Sequence, residues 1–387
     1  MSEQKASKGK ATEEKVAMPH RGGNSMIWVA GSVIVAVVVI AAVFAMGVLS
    51  GGTKESVSLT GAGATFPMPL ILKWADEYYN STNHKVKINY GGGGSGAGIT
   101  QIKDKHVDFA GSDAPLSATD SSTYGLLHIP ETLGPIVVAY NEPSVVNLKL
   151  DGPTLAEIFM KNIAAWNDPA ISALNPGVTL PTDQITVVVR SDSSGTTFAF
   201  SGYLAVVSTE FQTLYGQGKS VSWKEAIGAS GNPGVAQTVL TTPHSIGYIE
   251  LSYAKKNNIQ FALLKNHDGN FITASSETAS AAAAAGSASL PAGNGDWSHV
   301  SILDAAGVTS YPITTFTYIL VYKELYNDQS KMNKTAAKAL VDFLWWAVHD
   351  KGQAFSSGLY YAPLPASVVS LDEDTLNSIT YNGVALR

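Results

Sequence analysis

Three separate stretches of this chain follow the same order: a strand-like run, a cluster of Gly, Ser and Thr, and then a helical stripe. They are centred on Gly61–Phe66, Gly91–Gly98 and Asp192–Thr197. Repetition of strand, tight turn and helix constrains the fold more than any composition does, because it is the unit of a sheet covered by helices, and it predicts α/β architecture. The segments between fit that frame. "PMPLILKWADEYYN" reads as a helix with Pro67 in its first turn and Leu70, Ile71, Trp74 and Tyr78 on one stripe. "KVKINY", "GPIVVAYN", "SIGYIE" and "YPITTFTYILVY" read as strands, and "TLAEIFM" and "FAFSGYLAVV" as helices. "TAAKALVDFLWWAVHD" is an amphipathic helix with Ala337, Leu340, Val341, Leu344, Trp345 and Val348 on its inner face. Thr273–Gly293 is expected to be an alanine-rich surface helix with a loop.

A Gly/Ser/Thr turn at a helix start has two readings. It can simply cap the helix. It can also hold an anion, because the first N–H groups of a helix lack partners, the helix dipole is positive there, and hydroxyls add donors. Arg190 ends the strand before the third turn, and its planar fork suits an oxyanion. Asp192 lies two residues on, on the same side of a strand end, where it could pin that fork or form an ordinary surface ion pair. A fourth turn, "GSDAP", carries an acid. Asp113 could cap a helix starting near Pro115. Placed inside an anion site instead, it would repel any ligand without a proton to donate. That would favour hydrogen phosphate over sulfate, since an acceptor facing an acceptor costs about 1–3 kcal/mol or more.

The chain has 387 residues, room for two domains, and a net charge of −6, which argues against a nucleic-acid partner. It has no cysteine, so disulfides, thiolate metal sites and cysteine nucleophiles are excluded. Its eight histidines show no metal-ligand spacing. "GGGGSG" matches a dinucleotide fingerprint through Gly91, Gly93 and Gly96, a cheap match in a glycine run, and no phosphate-binding P-loop or nucleophile elbow is present. Residues 1–25 form a polar, lysine-bearing tail, and residues 26–49 are uncharged and apolar, roughly 36 Å as a helix. The excess of Lys and Arg before this run predicts a single-pass segment with the N-terminus inside and everything after the linker at residues 50–56 outside. A cleaved signal sequence is the alternative.

Four blocks, "LTGAGATFPMPLILKWADEY", "VDFAGSDAPLS", "VVVRSDSSGTTFAFSGYLA" and "SIGYIELSYAKKNN", occur in order and resemble the phosphate-binding proteins of high-affinity phosphate ABC transporters. The resemblance covers nearly all of residues 57–387. It implies a type II periplasmic-binding-protein fold of two α/β domains, residues 57–135 with 309–387 and residues 136–308. The hinge would be crossed near Leu133–Val138 and Tyr311–Thr317, with the ligand between the domains. It also implies an oxyanion shell of Ala64, Thr65, Phe66, Ser95, Asp113, Arg190, Ser194, Gly195 and Thr196, with Asp192 behind the arginine. The chain departs from the family by lacking a lipid-bearing cysteine and by its alanine-serine patch near residue 280.

The function so implied is an extracytoplasmic, monomeric receptor that captures inorganic phosphate and delivers it to permease subunits, an ATPase subunit acting indirectly. It is tethered to the membrane by its N-terminal helix and is not an enzyme, with no cofactor or metal. The rival readings are a secreted phosphatase using the same cradle, a phosphate sensor, and a receptor for another oxyanion.

Overall fold

The computed structural model describes residues 56–286, 290–326 and 332–387. The apolar run expected to meet the membrane lies outside them. Among the described residues no helix is long and apolar enough to cross a membrane.

The first strand–turn–helix unit gives β1 (Val57–Gly63) and α1 (Met68–Ser81), the second β2 (Val86–Gly91) and α2 (Ser95–Lys103), and β3 (Phe109–Ser112) follows. β1 lies between β2 and β3 and is parallel to both. Pro67 is the residue that starts α1, and Leu70, Ile71, Trp74, Ala75 and Tyr78 are its buried stripe. The helix α3 (Ala118–Tyr124) is capped by Ser117, whose hydroxyl accepts from the amide of Asp120. Asp113 is therefore not a helix cap, and its side chain is available for other partners.

The strand β4 (Leu126–Asn141) runs through both halves of the sheet, and every residue but the last is buried. Its first half pairs antiparallel with β8 (Thr314–Tyr322), and its second half, Ile136–Asn141, with β7 (Ser245–Glu250). Beyond β7 lie β5 (Thr186–Arg190) and β6 (Ala226–Ala229), both parallel within that half. The order across the sheet is β2-β1-β3-β8-β4-β7-β5-β6. A near-continuous apolar strand fits a position with helices on both faces. One irregularity interrupts the β4–β8 ladder: Thr317 pairs with Thr132 and Tyr318 with Pro130, so Glu131 is an extra, unpaired residue. The side-chain amide of Gln353 donates to the Glu131 carbonyl at 3.0 Å and satisfies it there.

The third unit gives β5 and α4 (Gly195–Val207). A fourth, unremarked in the sequence reading, gives β6 and α5 (Gly231–Thr241), and α6 (Leu251–Lys256) follows β7 directly. Two expectations are refined. The alanine-rich helix, α7 (Ser276–Gly286), forms with Glu277, Ala284 and Ala285 exposed, but its other face is core: Ala279, Ala282 and Ala283 are fully buried, and α7 packs on β4 and β8. Alanine there permits close approach to the sheet. On α8 (Lys334–Val348), Trp345 lies on the flank, stacked on His349 and covered by the Arg387 guanidinium, while Phe343 and Ala347 join the core. Downstream of α7 the fully buried Trp297 stacks on His128 of β4 and meets Tyr318 of β8 edge-on, fixing the return of the chain across the sheet.

Candidate functional site

Four helix starts and one strand end meet between the two halves of the sheet. At the end of β1, the Ala64 amide donates to the Gly111 carbonyl at 2.9 Å and its own carbonyl accepts from Tyr90. Ala64 thus fixes the turn instead of offering a donor. Thr65 and Phe66 differ. Their carbonyls are held by the hydroxyls of Tyr253 (2.6 Å) and Tyr361 (2.7 Å). Their amides have no protein partner among the described residues. Both side chains are buried.

Ser95 opens α2. Its hydroxyl oxygen accepts from the amides of Asp113 and Gly195, each at 3.1 Å, so it joins β3 to the start of α4. The preceding Gly94 has φ +88°, and a side chain there would meet the Ser193 carbonyl at 2.7 Å and the Asp192 carboxylate. Only glycine allows that backbone shape and that approach. Ser194 caps α4, its hydroxyl accepting from the Thr197 amide at 3.0 Å. The Thr196 amide has no protein partner among the described residues, and its hydroxyl donates to Asp113 Oδ2 at 3.3 Å.

Asp192 grips Arg190 with both oxygens, Oδ1 to Nε at 2.8 Å and Oδ2 to Nη2 at 2.5 Å. The pair is largely withdrawn from solvent, so it is no surface bridge. The remaining arm, Nη1, reaches Thr196 Oγ1 at 3.2 Å. Burial pushes Asp192 up, but the bonds from Arg190 and from the Gly231 amide outweigh it and hold the carboxylate below its ordinary range. Asp113 is the opposite case. Burial pushes it up to about 7, against the pull of Arg190 and the hydroxyls of Thr317 and Thr196. One cation, already paired, and one acid near neutrality leave the rest of the cradle to neutral donors.

The structure brings all ten expected residues into this region. It adds several that the sequence reading passed over. Asn232, in the fourth βα turn, donates from its amide and Nδ2 to Thr65 Oγ1 (3.0 and 3.1 Å) and from Nδ2 to Thr196 Oγ1 (3.1 Å). Its Oδ1 accepts from the Glu250 amide. "GASGNPGVA" carries the same strand–small-residue–helix order as the other three turns, so the signal was present. Thr317, Glu131, Tyr253, Tyr361 and Glu250 lie behind the turns and had no such signature. Among the described residues no three His, Asp or Glu side chains are grouped so as to hold a metal ion.

A family model described as a PBP superfamily domain matches residues 50–348. The phosphate-binding protein PstS of Pasteurella multocida is 42% identical over 319 residues, covering 82% of this chain and 89% of that protein. PstS of Haemophilus influenzae is 42% identical over 328 residues, covering 84% and 94%. Among solved structures, a phosphate-binding protein from Stenotrophomonas maltophilia superposes with a TM-score of 0.61 at 19% identity, covering 81% of this chain and 92% of that one, a likeness of fold.

Proposed function

The chain belongs to the PBP superfamily and, within it, to the PstS phosphate-binding proteins, and from that membership we propose that it captures inorganic phosphate between the two halves of its sheet and hands it to an ABC permease. The observation that carries this reading is the convergence of donors from both halves on one buried acceptor. Ser95 and Asp113 stand on one side, Gly195 and Thr196 on the other, linked at 3.1–3.3 Å. Phosphate takes hydrogen bonds from the amides of Thr65, Phe66 and Thr196, from the hydroxyls of Thr65, Ser95 and Ser194, and from Arg190, while the Thr196 hydroxyl stays on Asp113. Asp113 accepts the proton that hydrogen phosphate retains and sulfate lacks. With charge-assisted bonds worth about 1.5–3 kcal/mol each, such a shell offsets dehydration of the anion without a local excess of positive charge.

Capture requires the two lobes to close about the crossings near Leu133–Val138 and Tyr311–Thr317, because neither lobe holds the full shell. The protein makes and breaks no bond. It acts outside the cytoplasm as a monomer, tethered by its N-terminal apolar run, and an ATPase subunit supplies the energy for import. Calorimetry of the purified chain with phosphate, sulfate and a phosphate ester tests the reading. Tight binding of phosphate, weak binding of sulfate and no release of phosphate from the ester are expected. Equal affinity for the two anions, or turnover of the ester, would replace it with a general oxyanion receptor or a phosphatase.

A further inference from the structure

Thr317 Oγ1 lies 3.1 Å from Asp113 Oδ1 and 3.2 Å from Glu131 Oε1. Both carboxyl groups are buried, Glu131 fully. A hydroxyl has one proton, so it donates to one of these oxygens and must accept from the other. One of the two acids therefore carries a proton. Asp113 faces Arg190 and takes a second hydroxyl, that of Thr196, on Oδ2. Glu131 has no cation beside it, and its Oε2 has no partner among the described residues. The proton belongs on Glu131.

We propose that Glu131 is a positioning residue for phosphate selectivity: as a neutral acid it donates to Thr317, which in turn donates to Asp113 and keeps that carboxylate an acceptor toward the cleft. The proposal rests on the phosphate-binding reading and extends it to a residue that does not touch the ligand. The bulge is what makes the contact. Glu131 is the unpaired residue of β4, and an extra residue re-aims its side chain relative to the ladder. Gln353 holds its carbonyl in place. Tyr90, Arg190, Asp192, Glu250, Tyr253 and Tyr318 are the other titratable groups that face the two acids, and Arg190 is the sole cation among them. Burial raises Glu131 well above its ordinary range, in the same direction. If Glu131 ionised, it would compete for the Thr317 proton, Asp113 would be driven to hold a proton of its own, and the site would lose its means of rejecting a fully deprotonated anion.

The test uses wild type, E131Q and E131L. Gln keeps a donor toward Thr317 and cannot ionise, whereas Leu keeps bulk without a donor. Infrared difference spectra of the ligand-free proteins at neutral pH should show a neutral carboxylic-acid carbonyl in wild type that is absent from E131Q. In calorimetry E131L should lose about tenfold in the ratio of phosphate to sulfate affinity, the worth of one oriented hydrogen bond. E131Q should restore most of it and hold it into alkaline pH, where wild type declines. Absence of the neutral band, or an unchanged ratio in E131L, overturns the proposal. Failure of wild type to bind phosphate would sink the functional reading, while the infrared result would still decide where the proton sits.

Discussion

The hydroxyl oxygen of Ser95, at the start of α2, lies 3.1 Å from the amide nitrogen of Gly195, at the start of α4. These residues belong to opposite halves of the sheet, so the bond measures how closely the halves approach. Gly195 has no room for a side chain: an added Cβ would meet Asp113 Cβ at 2.6 Å as well as the Ser95 hydroxyl. G195A should keep both halves folded but hold them apart, lowering phosphate affinity about a hundredfold or more, since closure completes the shell. Calorimetry and small-angle scattering with and without phosphate would show the loss of compaction. Wild-type affinity in G195A would mean that the two starts need not meet.

Asp113 sets the choice of anion. D113N keeps the shape but presents a donor as well as an acceptor. Phosphate affinity should fall about tenfold to a hundredfold and sulfate affinity should rise, because a repelling carboxylate is removed. Competition of the two anions for the variant measures the ratio directly. A ratio equal to that of wild type would remove Asp113 from the selectivity mechanism.

Arg190 depends on Asp192 for its aim. In D192N the guanidinium keeps its charge but loses a bidentate anchor, and the Gly231 amide loses its charged acceptor. A buried cation left without its partner costs about 3–5 kcal/mol. The variant should therefore unfold at lower denaturant concentration and also bind phosphate more weakly. R190A should lose affinity by a larger factor than D192N. If R190A binds as wild type does, the pair is purely structural.

Much of this was legible in the chain, and the reasons are local. Gly, Ser and Thr at a strand–helix junction declare themselves by type and spacing, so the turns at Thr65, Ser95 and Thr196 could be picked out directly. Asp192 followed from strand geometry, and the strand-like run "SIGYIE" coincides with Ser245–Glu250. Thr317 and Glu131 could not be read that way. Each sits inside an apolar strand, and their partnership with Asp113 spans 204 residues in one case and is made possible by a bulge in the other. Burial of one face of α7 was likewise hidden, because alanine suits an exposed helix face and a tightly packed one equally.

The pH dependence of stability follows from a second acid. Glu250 is fully buried and caps α6, accepting from the Ser252 amide at 2.8 Å and from the Ser252 hydroxyl, with the Tyr361 oxygen 3.2 Å from its Oε2. Burial outweighs these bonds and pushes it up to about 8, from 4.5. A carboxyl that holds its proton more tightly when folded stabilises the fold fully below its unfolded value, and that contribution is lost as pH rises to the folded value. Asp113, raised from 3.8 to about 7, acts in the same direction over a lower window. Ligand-free protein in phosphate-free buffer should thus lose stability, on the order of a few kcal/mol, between about pH 5 and about pH 8. E250Q, which cannot ionise, should flatten the upper part of that decline while leaving the part due to Asp113. Denaturant unfolding at fixed ionic strength would read both slopes. Stability that rises over this interval in wild type, or an identical slope in E250Q, would show that Glu250 is already ionised in the folded protein.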